Sequence, residues 1–147
     1  MLPIMPIACL LTVSDLTSRN PFSLGMGSKN FDSAKPGIVG LTKHQAIWGL
    51  AMWSVVHIFI NGDVASFCMF GLLTLQGFGG PKSLDAKCKK NFGEEAWTRL
   101  FEKVSETSAM AALRQMGPWR AVFGLALYAG LLFLHQPIIG VSPLPTF

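Results

Sequence analysis

Two histidines sit where an ionisable group is costly. His57 and His135 fall within long apolar stretches, residues 46–60, 64–80 and 121–147, and the only other ionisable side chain in or between the first two or in the third is Asp63. A titratable residue within hydrocarbon is a functional hypothesis by default, because burying it there is expensive. Neutral imidazole ligates metals, and two imidazoles at one depth could hold a haem iron axially, with aromatic and aliphatic residues packing the ring. The plainer alternative is an imidazole that donates to a carbonyl on a neighbouring helix or sits in the interfacial layer with no cofactor. On a helix, Leu50 and Trp53 would share the face of His57. Gly124, Tyr128 and Leu131 would share that of His135, with the glycine leaving room for a flat ligand.

Other chemistry-bearing residues read more simply. His44, beside Lys43, suits an interfacial or capping position, Asp63 a helix cap, and Asn61 a turn that needs its side chain. No Ser-His-Asp, paired-carboxylate or glycine-rich phosphate pattern is present, so hydrolase and nucleotide chemistry have no support. A non-enzymatic role is the favoured expectation.

The elements that must position the histidines follow from the charge map. All 12 Lys and Arg residues fall within residues 19–43 and 82–120. Three apolar segments remain, at residues 44–60, 64–80 and 121–139. The first would reach about 25 Å as a helix, near the lower limit for crossing a bilayer. Asn61-Gly62-Asp63 reads as a tight turn, and Gly77-Phe78-Gly79-Gly80-Pro81 as a strong helix stop. Residues 94–103 place Trp97, Leu100 and Phe101 on one face, as in a short amphipathic helix lying on a membrane. Pro118-Trp119-Arg120 opens the third span, in which Ala126 and Gly130 form a small-xxx-small pair.

The predicted fold is therefore all-α, with three transmembrane helices, one amphipathic surface helix and an irregular N-terminal segment. Both basic blocks belong on one side, the cytoplasmic, matrix or stromal side by the positive-inside rule. The up-down-up topology then puts His57 and His135 at a similar depth near the opposite side. The expected division is an apolar stretch and loop at 1–43, a membrane domain at 44–143, and a tail at 144–147.

Composition agrees with this class. Charged residues make up 14% of the 147 residues, against roughly 25% in soluble domains, and mean hydropathy is +0.43. The net charge of +4 is no nucleic-acid footprint, because acidic residues interleave with the second basic block. Cys9, Cys68 and Cys88 suggest neither a disulfide framework nor a zinc site, and Cys68 reads as helix packing. The apolar stretch at 2–13 is too short to span and carries Pro3 and Pro6, so it reads as partly buried or interfacial. The loop that follows is marked by Asn20-Pro21, Gly25, Gly27 and Pro36-Gly37.

His57-Ile58-Phe59-Ile60-Asn61-Gly62-Asp63 resembles the His-Leu-Leu-x-Asn-Gly-Asp signature of NnrU-domain membrane proteins. The likeness continues through Val64-Ala65-Ser66, Phe70-Gly71 and Gly93-Glu94-Glu95-Ala96-Trp97. It ends in Leu134-His135-Gln136-Pro137, followed by Gly140-Val141-Ser142-Pro143; upstream, Asn20-Pro21-Phe22 and Gly37-Ile38-Val39 also fit. Thr42-Lys43-His44-Gln45 departs from the family's Thr-Arg-His-Pro, and the family's further N-terminal helices are expected to be missing. The family is associated with bacterial denitrification genes, and a plant branch is similar to zeta-carotene isomerase, a haem b membrane enzyme with histidine ligands. The resemblance implies a tetrapyrrole site (haem b before chlorophyll) on His57 and His135.

Two functions compete at this point. One is a small accessory subunit of a respiratory or photosynthetic electron-transfer complex, in a mitochondrial inner, thylakoid or bacterial inner membrane. It would have other membrane subunits and lipids as partners, and no nucleic acid. The other is a haem b-dependent isomerase or oxidoreductase acting on a lipophilic substrate such as a carotenoid.

Overall fold

The computed structural model describes residues 3–23 and 29–144. Leu2, the loop glycines Gly25 and Gly27, and residues 145–147 of the expected tail lie outside the described residues. The described chain is all-helical: α1 (Ile4–Thr17), α2 (Gln45–Asn61), α3 (Val64–Phe92), α4 (Glu94–Ser105), α5 (Ala109–Met116) and α6 (Pro118–Ile139), with a 3₁₀ turn at Gly37–Gly40.

One expectation at the N-terminal side is corrected, while the partial burial expected there is found. Residues 4–17 form a regular helix, not an irregular segment. Pro3 stands at the N-cap and Pro6 in the first turn, where the backbone N–H groups have no intrahelical partner in any case. The helix is also central to the packing. It lies between α2 and α6, and α2 in turn packs on α3, giving the order α3, α2, α1, α6 in a single layer.

Small residues set the close contacts of this layer. A side chain on Gly49 would collide with Ala8 and Thr12 of α1, one on Gly124 with Leu10, and one on Gly77 with Ala51 of α2. Helices come this near only where side chains are absent, as in membrane bundles. The contacts also give the directions. Asn20 meets Lys43, His57 meets Phe70 and His44 meets Asp85, while Arg120 meets Thr17, so each neighbour runs antiparallel to the next.

Two helices, α3 and α6, are long and apolar enough to cross a membrane, where three were expected. The shortfall is α2, whose 17 residues end at Gly62 in the left-handed conformation (φ 68°). The expected stop at Gly79-Gly80-Pro81 is likewise corrected, because α3 continues through Pro81 to Phe92. Its polar half is held by tertiary contacts: Asp85 bonds His44, and Cys88 packs on the Phe22 cluster. Such contacts outweigh the helix-breaking tendency of the local sequence.

At the basic end, α4 and α5 close over the 3₁₀ turn. Val39 joins Phe22, Trp97 and Val104 in one core, while Ile38 joins Leu11 and Met116 in the other. The helix expected at 94–103 is present, but its apolar stripe faces this protein core. Trp97 is 7% exposed, stacks on Phe101 at 4.6 Å and meets Phe22 edge-on.

Candidate functional site

His57 is placed by the turn that follows it. The Gly62 N–H bonds Ile58 O, and the Asp63 carboxylate caps α3 by accepting from Ser66 N at 2.9 Å. The hairpin thereby brings Phe70 to 5.0 Å from the His57 ring and 5.1 Å from Trp53, which itself meets His57 at 4.3 Å between centroids. His57 Nδ1 lies 2.7 Å from Trp53 O. A carbonyl only accepts, so Nδ1 carries the proton, and in the neutral ring Nε2 keeps its lone pair.

His135 repeats this arrangement by a different route. Gly140 ends α6 in the left-handed region (φ 85°) and turns the chain back, so Val141 O comes 2.7 Å from His135 Nδ1. The Nε2 lone pair is again the one left over. A cavity of about 420 Å³ lies at this end of α6, lined by Leu132, Gln136, Pro137 and Leu144 but not by His135. Neither acceptor lies on a neighbouring helix, as the plainer reading had it, since Trp53 belongs to α2 itself and Val141 follows α6; bonds of this kind fix an imidazole for ligation.

The two histidines do not touch, because α1 separates α2 from α6. Gly49, Leu10 and Gly124 mark one level across the three helices. At ~1.5 Å per residue, His57 lies roughly 12 Å beyond that level and His135 roughly 16 Å, but Ile4 only about 9 Å. Both histidines therefore lie past the first turn of the helix that spaces their own helices apart. His135 also lies within roughly 20° of Gly124 around α6, on the side that faces α1 lower down. The expected role of Gly124 is corrected here: Leu10 of α1 fills the space it leaves, so it makes no room for a ligand.

A third histidine has a partner that sequence reasoning missed. His44 is the N-cap residue of α2 but makes no side-chain cap bond. Its Nε2 meets Asp85 Oδ1 at 3.0 Å, and the residue is buried. Lys43 beside it donates to Ser105 Oγ at 2.8 Å and lies over the Phe101 ring at 3.9 Å. Burial pushes the Lys43 ammonium below its ordinary value, and Asp85 offsets part of that shift. The signal was available in Thr42-Lys43-His44-Gln45, but pairing it with Asp85 requires α3 to pass Pro81.

Fold and site together define an all-helical protein with two helices of membrane length and two tautomer-fixed imidazoles beyond its central helix. The family model described as NnrU protein matches residues 1–143, so α1 lies within the match as well. The chain belongs to the NnrU family, as its motifs suggested. No curated protein and no solved structure matches it.

Proposed function

We propose that this chain is an integral membrane subunit that holds a tetrapyrrole, haem b before chlorophyll, between His57 and His135 within a larger electron-transfer assembly. One observation carries the reading. Both imidazoles tie Nδ1 to a main-chain carbonyl and keep Nε2 as the ligating nitrogen, at neighbouring levels past the start of α1. This is the outer-shell bond that fixes tautomer and orientation in histidine-ligated metal centres. The spacing supports it as well. Two helix-to-helix steps of about 8–10 Å allow the α2 and α6 axes to stand up to roughly 16–20 Å apart, and α1 lies between the two helices. The donor set therefore fits the group, with Trp53 and Phe70 supplying aromatic walls on the His57 side. A bound haem would supply one-electron chemistry; the chain's own part is to ligate it, orient it and exclude water.

The test is an absorption spectrum of the protein extracted in mild detergent from its native membrane. A Soret band is expected, altered in both His57→Ala and His135→Ala. A preparation without tetrapyrrole absorption overturns the ligand reading. Haem in a protein that migrates at the 15.9 kDa of the free chain would instead favour the enzymatic alternative over the subunit.

A further inference from the structure

A second cavity, of about 400 Å³, opens where the end of α1 meets the start of α6. Arg19, Lys35 and Arg120 line it, against a single carboxylate from Asp32. Asp32 is already engaged, since its Oδ1 accepts the Ala34 N–H at 2.9 Å. The half-buried Arg120 is the anchor. Its Nε donates to Thr17 Oγ1 at 3.2 Å, Nη2 to Thr17 O at 3.3 Å, and Nη1 to Met116 O. All three acceptors are neutral. A guanidinium has five N–H donors, so two remain. Among the described residues, no carboxylate forms an ion pair with Arg120, Arg19 or Lys35.

The arrangement leaves more positive charge than the chain itself balances. The Thr17 and Met116 carbonyls end α1 and α5, and their partial negative charge offsets only part of the guanidinium. Gln115 Oε1 accepts the Gly37 N–H at 3.0 Å, which leaves its amide N–H groups to donate at the cavity wall. Arginine matches phosphate oxygens through paired donors, and nearby cations add to that attraction.

Position narrows the source. The cavity lies at the first turn of α6, beside Trp119, whose ring sits 4.5 Å from the Arg120 guanidinium. Tryptophan with arginine at a helix start is the pattern of the membrane–water interface, where basic pockets between helices take acidic headgroups. We infer that this cavity binds a phosphate group, carried by the headgroup of an acidic phospholipid. The site is independent of the histidines and needs no tetrapyrrole.

The experiment uses the full chain in nanodiscs of phosphatidylcholine with or without phosphatidylglycerol. Phosphatidylglycerol is expected to raise the melting temperature and to remain attached in native mass spectra. Arg19→Gln with Lys35→Gln should abolish both effects without touching the Arg120 bonds that support folding. Lys90→Gln with Lys103→Gln, an equal change of charge away from the cavity, should leave both intact. Equal loss in the two double variants, or no difference between the lipids, overturns the site. Stabilisation by inorganic phosphate alone, lost only in the cavity variant, keeps the phosphate site and assigns it to a soluble ligand.

Discussion

At the residue scale, single side chains do the positioning and each can be tested alone. Asp63 caps α3, and hydrogen bonds from Ser66 hold its carboxyl below the ordinary value of 3.8. A carboxyl whose folded value is lowered contributes fully above its ordinary value and loses that contribution as pH falls through the lowered one. Amide protection at residues 64–66 should thus stay constant from neutral pH to near pH 4, then fall, as read by hydrogen exchange. Asp63→Asn, which caps without ionising, should remove the pH dependence but keep the protection. Phe22 offers a contrast, because its role is packing. It is 1% exposed and meets Phe31, Trp97 and Phe101 edge-on, with centroids 6.2–6.5 Å away. Phe22→Ala should cost about 3–5 kcal/mol, visible as an earlier unfolding transition in Trp97 fluorescence. An unchanged midpoint would mean that α4 does not depend on this core.

At the scale of elements, the glycines separate contacts that build the layer from those that leave its surface open. Gly49→Val and Gly124→Val each force a side chain into α1. Each should destabilise the protein by about 1–3 kcal/mol, lowering the melting temperature in detergent. Gly71→Ala and Gly130→Ala meet nothing within 4 Å and should leave it almost unchanged. If all four behave alike, the packing order α3, α2, α1, α6 is wrong. The same contacts explain what is legible in the sequence and what is not. The start of α3, the whole of α6 and the turn at Asn61-Gly62-Asp63 follow from hydropathy and turn chemistry. So do the positions of His57 and His135 near one end. The helix at 4–17 is not legible, because Pro3 and Pro6 look like breakers until the helix start is known to fall there. Nor is the passage of α3 through Pro81, which depends on the distant partners His44 and Phe22. Once α3 is taken to stop at Gly80, the His44–Asp85 pair cannot be inferred. The placement of α1 between the two histidine helices has no local signal at all.

For the whole molecule, the open edges of the layer matter most. Phe67, Leu72 and Leu75 on α3 are 64–69% exposed, and Val122, Phe123 and Phe133 on α6 are 60–78% exposed. Cys68, expected as a small packing residue inside a helix, is within α3 but exposed on the same segment. Apolar surface this continuous is covered by lipid or by another protein in any working state. The two coverings respond differently to changes of shape. Lipid tails are fluid and tolerate one apolar outline as well as another, whereas a packed helix interface depends on close fit. Leu72→Trp and Leu75→Ala on α3, paired with Phe123→Ala on α6, keep the surface apolar but alter its contour. If the chain is a subunit, these variants should lose co-migration with the native assembly on a non-denaturing gel. The isolated chain should keep its melting temperature, since none of the three side chains is buried within it. Assembly that survives every one of these changes would place both edges against lipid and remove the main support for the subunit reading. The tetrapyrrole reading would be unaffected, because it rests on His57 and His135 alone.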